Sequence, residues 1–240
     1  AMGGFADLGI CAERVAATAH RMQRARAALE HATNELLRTS VRLDPAGFAR
    51  VLREPVAAAP EEIALRALSR VLMTIGAREY PARMQRLENL YGWLMQGAKG
   101  GGRTLSGCRV VAGPVDVIVA REPAAIGPEV RLQAGERGYW DSRFHVRLAD
   151  GVECGRLSLA VREVAADGVR QIMQANVKPP YNAMPRMAYR TTPGLWCGDQ
   201  LLAAPFLGFI SSDQREVACG FSTTFAPILQ LAPISALARS

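Results

Sequence analysis

Apolar positions recur every seven residues near the start of the chain, at Val15, Met22, Leu29 and Leu36. The small residues Thr18, Ala25 and Ala32 fill the complementary positions. This spacing predicts one long helix over residues 11–40 with a heptad face. Its other faces carry Arg14, Arg21, Arg24, Arg26 and Arg38, read either as a solvated surface or as a stripe that tracks a phosphate backbone. Asp44 followed by Pro45 predicts the start of a short second helix, and the stretch EPVAAAP at 54–60 reads as a linker. Pro60-Glu61-Glu62 then opens a helix with acidic residues where the N-terminal dipole favours them. Its buried stripe is Ile63, Leu68, Val71, Leu72 and Ile75, and it ends at Gly76. The turn GAREYP (76–81) leads to a partner helix from Pro81 through Met84, Leu87, Leu90 and Leu94, stopped by Gly97. The pair is an αα-hairpin, and its polar side carries Arg66, Arg70, Arg78, Arg83 and Arg86.

Beyond residue 103 the period switches from helical to alternating. CRVVAGPVDVIVARE (108–122) places two β-branched runs around Ala112-Gly113-Pro114 and predicts a β-hairpin. FHVRL (144–148) and GRLSLAV (155–161) alternate likewise, and the Gly-Asp pair within LWCGDQLLAAP (195–205) marks a second hairpin. EVACGF (216–221) is expected to add a strand and GVRQIMQA (168–175) a short helix. The segment 177–194, with four prolines, reads as a connecting loop. The expected fold is therefore α+β. A helical region (1–59) and a helical hairpin (60–98) precede a glycine-rich linker (99–103) and a β-rich α+β domain (104–240).

Composition adds less than charge does. The chain has 240 residues and is 49% hydrophobic, enough for a substantial core. Arg, Asp or Glu interrupts every apolar run before the ~18–20 residues of a membrane span, and no signal-like segment opens the chain. Cys11, Cys108, Cys154, Cys197 and Cys219 are odd in number and widely spaced, which predicts reduced thiols and neither a disulfide framework nor a zinc site. The formal charge of +7 is carried almost wholly by arginine, Lys99 and Lys178 being the two lysines. Such a surface suits phosphate recognition, although a GC-rich genome gives the same bias.

One motif invites a nucleotide. GAKGGGRT (97–104) reads as Gly97-x-x-x-x-Gly102-Arg103-Thr104, a phosphate loop with arginine in place of lysine. A working phosphate loop needs a strand before the glycines and a helix after them, so that N–H groups converge on the phosphates. Here the expected order is helix first and strand second, which favours a linker. No G-x-S-x-G, H-E-x-x-H or dinucleotide fingerprint is present. Glu61-Glu62, Asp141 near His145 and Asp199 near Cys197 offer no supported catalytic pair.

Four segments in order carry a resemblance: ERVAATAHRMQRARAALEHA (13–32), ALRALSRVLMTIGAREYPARMQRLENL (64–90), RTLSGCRVVAGPVDVIVAREP (103–123) and LWCGDQLLAAPFLG (195–208). Together they resemble the C-terminal half of bacterial tRNA(Ile)-lysidine synthases, the TilS or MesJ family once described as cell-cycle proteins, alphaproteobacterial forms especially. The REYP helical hairpin and the TLSGC…REP hairpin are the most specific parts. In that family an N-terminal PP-loop domain with an S-G-G-x-D-S motif adenylates the wobble cytidine of isoleucine tRNA with ATP and Mg, and lysine then displaces AMP. No S-G-G-x-D-S occurs in this chain. The resemblance therefore implies a cytoplasmic, non-catalytic tRNA-recognition portion without a cofactor of its own. Its implied partners are isoleucine tRNA, acceptor region included, and the catalytic domain. Charge, rather than any family motif, selects the candidate tRNA contacts: Arg78, Arg83 and Arg86, then Arg103, Arg109, Arg121, Arg186 and Arg190. The alternative is a structural or protein-interaction module with an incidentally basic surface.

Overall fold

The computed structural model describes residues 12–97, 101–152, 158–177 and 184–231. Helix α1 (Ala12–Ser40) runs into the strands β1 (Val41–Asp44) and β2 (Phe48–Leu52), which pair as an antiparallel hairpin. The helices α2 (Arg53–Ala58), α3 (Glu61–Gly76) and α4 (Met84–Met95) follow. Then come β3 (Gly102–Leu105), β4 (Cys108–Ala112) and β5 (Asp116–Arg121). These close a five-stranded antiparallel sheet in the order β1-β2-β5-β4-β3.

The remaining chain builds two further sheets. Strands β6 (Val130–Arg131), β7 (Arg137–Trp140), β8 (Phe144–Leu148) and β9 (Leu159–Glu163) precede helices α5 (Ala165–Gln174) and α6 (Arg186–Tyr189). After them lie β10 (Pro193–Cys197), β11 (Gln200–Ala204), β12 (Phe209–Ile210), helix α7 (Arg215–Cys219) and β13 (Phe221–Phe225). The second sheet has the order β12-β11-β10-β9-β6 and the third β13-β8-β7. All described pairings are antiparallel, and the fold is α+β.

The hairpin helices form where the pattern places them. Ile63, Leu68, Val71, Leu72 and Ile75 of α3 are all buried, as are Leu87, Leu90 and Leu94 of α4. They pack with Val110, Val117 and Val119 of the first sheet and with Leu36, Leu37 and Val41 into one apolar core. Helix α4 starts at Met84 rather than Pro81, which leaves Tyr80 to Arg83 as a non-helical rim. The hairpin β4–β5 turns at Ala112-Gly113-Pro114, and β10–β11 turns at Gly198-Asp199, both as expected.

Four expectations need correction. Asp44-Pro45 does not open a helix. The Ala46 N–H donates to Asp44 Oδ1 at 2.9 Å and the Gly47 N–H to the Asp44 carbonyl at 2.9 Å, closing a β-turn. The sheet partner β5 makes the strand outcome the better one, because it buries Phe48, Ala49 and Val51 completely. Residues 54–60 are mostly the helix α2, held because Arg53 donates to the carbonyls of Leu94 and Gly113 at 2.9 and 3.0 Å. Residues 215–219 form α7, so the strand expected at 216–221 starts only at Phe221. Within the expected loop 177–194, residues 178–183 lie outside the described residues, but Arg186–Tyr189 is helical.

The first sheet takes strands from both sides of residues 99–103, so the segments on either side share one core. Residues 99 and 100 of that expected linker lie outside the described residues, and Gly102 already begins β3. None of the described helices is long and apolar enough to cross a membrane.

Candidate nucleic-acid interface

The β3–β4 hairpin turns on Ser106 and Gly107, both at positive φ (52° and 72°). That is the geometry of a two-residue primed turn, whose twist suits antiparallel strands and which a glycine accommodates freely. The turn packs against the end of α3, where Ala77 takes the left-handed conformation and the Arg78 N–H donates to the Met73 carbonyl at 3.1 Å. Contact is close: a Cβ on Gly76 would sit 2.1 Å from the Ser106 carbonyl oxygen. Residues 76–86 and residues 103–107 thereby come together, although some twenty residues separate them in sequence.

Between them lie two adjoining depressions that share Arg86, Leu105 and Ser106 as walls. One, of about 430 Å³, is also lined by Asn89, Arg103 and Glu122; the other, of about 410 Å³, by Arg78, Tyr80 and Arg83. Four arginines thus face one groove, and Glu122 is the one carboxylate among the described residues that line it. Arg103 lies over the Trp93 ring of α4, 5.3 Å from its centroid, which fixes the guanidinium while leaving its N–H groups to the groove.

Charge at this groove differs from charge elsewhere on the surface. Arg38, Arg50, Arg66, Arg70, Arg147 and Arg170 each form an ion pair with a neighbouring carboxylate. Among the described residues, Arg78, Arg83, Arg86 and Arg103 have no carboxylate within ion-pair distance. A groove with this much uncompensated positive charge attracts an anion, and guanidinium forks match phosphate oxygens two at a time.

The other sequence candidates fall elsewhere. Arg109 pairs with Thr104 and alternates with buried Cys108 and Val110, so it projects from the opposite face of the sheet to Arg103. Arg186 and Arg190 are exposed at α6 and line neither depression. Arg121 must be withdrawn as a tRNA contact because it is buried. Its Nε and Nη2 donate to Asp141 at 3.1 and 2.8 Å, and its remaining donors bond the carbonyls of Gly76 and Ala125.

Arg121 belongs instead to a buried ionic cluster that sequence reading missed. Asp141, in the β7–β8 turn, also accepts from Arg143 Nε at 2.7 Å and from the Gly127 N–H at 2.9 Å. Arg143, wholly buried, reaches the carbonyls of Gly47 and Thr191. Burial pushes the Arg143 guanidinium pKa down, while Asp141 opposes that shift. Through these two arginines the cluster around Asp141 links Gly47, Thr191 and the end of α3 at Gly76. The pairing of Asp141 with His145 does not form: His145 is exposed and packs on Tyr139, with ring centroids 4.9 Å apart.

After Thr104 the chain continues as a strand into the Ser106-Gly107 turn, so no helix N-terminus follows the GAKGGGRT motif. Residues 98–100 of that motif lie outside the described residues. Among the described residues no group of three His, Cys, Asp or Glu is placed to hold a metal ion.

The fold is α+β and carries an arginine-lined groove, and comparison with known proteins specifies this further. No protein-family model matches the chain. It is 29% identical over 233 residues to the tRNA(Ile)-lysidine synthase of Ruegeria pomeroyi, an alignment that covers 95% of this chain and 51% of the relative. It is 26% identical over 218 residues to that of Wolbachia pipientis, covering 90% and 49%. Against the synthase of Methylobacterium nodulans identity is 35% over 138 residues, 56% of this chain and 39% of the relative. The chain is similar to a partial, C-terminal-like region of tRNA(Ile)-lysidine synthases and spans about half the length of the curated relatives that it matches.

Proposed function

We propose that this chain is the tRNA-recognition portion of a tRNA(Ile)-lysidine synthase. It holds isoleucine tRNA, acceptor region included, for a catalytic domain that lies outside these 240 residues. That domain would supply the ATP and Mg chemistry joining lysine to the wobble cytidine, and this chain alone would be inactive. The observation that carries the reading is the convergence of Arg78, Arg83, Arg86 and Arg103 on one groove without carboxylate partners among the described residues. Phosphate contacts of this kind fix the register of an RNA without reading its sequence. Coverage of about half of the Ruegeria and Wolbachia relatives fits a division of labour between recognition and chemistry.

The test is equilibrium binding of the chain to an isoleucine tRNA transcript across a salt series. If four arginines each displace a counterion, the log–log slope includes a contribution of about −2.8 to −3.6, and affinity falls roughly 50- to 150-fold between 50 and 200 mM salt. Replacing Arg83 and Arg86 by alanine should flatten the slope by about 1.4 to 1.8. Binding that ignores salt, or a slope that the double variant leaves unchanged, refutes the reading.

A second reading, a protein-interaction module, is favoured by one observation. Residues 12–28 of α1 are exposed, and Val15 and Met22 of its heptad face are 54% and 66% accessible. Concentration-dependent self-association with no tRNA binding is the outcome that would prefer it.

A further inference from the structure

Tyr80 is the most exposed large apolar side chain among the described residues, at 75%, and it lines the same depression as Arg78, Arg83 and Arg86. An aromatic ring in that position contributes little to the fold, since only about a quarter of its surface is removed from water. Among the described residues it has no ring or cation partner. Its backbone is restrained on both sides, by the left-handed cap at Ala77 and by Pro81, which confines the residue before it to extended conformations. The ring is therefore presented to solvent on the rim between α3 and α4, beside the arginines that line the same depression.

The other end of the groove adds hydrogen-bonding capacity. Strand β3 is the edge of the first sheet, so among the described residues one side of its backbone has no strand partner. Residues 103–106 of this edge line the depression that adjoins Tyr80's. Edge N–H and C=O groups and the Asn89 amide are the donor and acceptor types that a base edge or a ribose hydroxyl uses. Both depressions fall within the roughly 300–1,000 Å³ typical of small-ligand sites.

We infer that the groove binds an unpaired segment of RNA, with one base stacked on Tyr80 and the flanking phosphates held by Arg78, Arg83 and Arg86. This rests on the tRNA-recognition reading and deepens it. In the interior of an A-form duplex each base already stacks on its neighbours, so an aromatic ring has no base face to occupy there. An unpaired base offers a free face, and stacking on an aromatic side chain is tolerant of sequence.

The experiment compares the full chain with Y80A, Y80F and the double variant R83A/R86A. The probes are a short single-stranded oligoribonucleotide, one copy carrying 2-aminopurine, and its blunt duplex. Y80A should weaken single-strand binding roughly five- to hundred-fold and leave duplex binding within about twofold. Y80F should bind as the parent does and quench 2-aminopurine equally, and R83A/R86A should weaken both probes. An unchanged melting temperature for Y80A shows that the fold is intact. If Y80A binds the single strand as the parent does, or loses duplex binding to the same degree, the stacking inference falls while phosphate recognition survives. If R83A/R86A also leaves both probes unmoved, the tRNA reading fails with it.

Discussion

Changing Asp141 to asparagine should destabilise this protein more than any surface charge change. The carboxylate is 1% exposed and accepts four hydrogen bonds, from Arg121 Nε and Nη2, Arg143 Nε and the Gly127 N–H. Asparagine keeps one acceptor oxygen and turns an NH₂ group towards guanidinium donors. At least two charge-assisted bonds are lost, each contributing about 1.5–3 kcal/mol, and two buried guanidiniums lose their counter-charge. Removing one partner of a buried ion pair costs about 3–5 kcal/mol, so the two routes agree on roughly 4 kcal/mol. For a chain of this size that lowers the melting temperature by about 8–16 °C. The assay is urea unfolding followed by the fluorescence of Trp140 and Trp196, both fully buried. Glu35→Gln serves as the control, since the Glu35–Arg38 pair is half-exposed and contributes little. If D141N moves the urea midpoint no further than E35Q does, the cluster is solvated and the argument from burial is wrong.

Two further predictions concern residues packed beside the Ser106-Gly107 turn. Cys108 donates to the Leu72 carbonyl at 3.3 Å, and burial pushes its thiol up to about 12 from an ordinary 9.0, with nearby Arg121, Arg143 and Arg78 opposing the rise only in part. The unfolded chain therefore ionises first as pH rises. Stability from the neutral thiol is complete below pH 9 and is lost progressively between pH 9 and about 12, on the order of 2 kcal/mol by pH 10.5. Urea unfolding of the parent and C108A should converge by that amount between pH 8 and 10.5; parallel curves refute it. Gly76→Ala forces a methyl group against the Ser106 carbonyl, where overpacking costs about 1–3 kcal/mol. Because Ser106 lines both depressions, G76A should also weaken tRNA binding at temperatures where it remains folded, and unaltered affinity would show that the groove does not depend on this contact.

Legibility in the sequence followed the range of the interactions involved. Helices α3 and α4 were readable because one-sided burial leaves a 3.6-residue stripe within each segment, and β4–β5 because β-branched runs flank a compact turn. Asp44-Pro45 was ambiguous, since the same pair starts a helix or a turn, and its resolution comes from β5, about seventy residues away. Arg121 looked like surface charge for a similar reason. Nothing near it in sequence shows that Asp141 will fold against it and consume its donors. Arg109 could have been separated from Arg103 by strand alternation, but only once the Ser106-Gly107 turn had fixed the register.

That register also settles what Arg103 in GAKGGGRT does. In a phosphate loop the residue after the second glycine begins a helix and points its charge back at a phosphate cradled by backbone N–H groups. Here the chain leaves Gly102 as an edge strand, and the pairing of Arg103 with Val110 turns its side chain to the helical face, onto Trp93. The cation thus reaches the same groove as Arg86 from the other side. Two arms of arginine on separate elements can grip a backbone that runs between them, whereas a single glycine loop encloses one terminal phosphate group. On the proposed tRNA-recognition reading, arginines spread across a helix hairpin and a sheet edge suit a polymer of phosphates. For that reason inorganic phosphate should compete with tRNA only weakly, and competition at micromolar phosphate would point back to a compact phosphate loop.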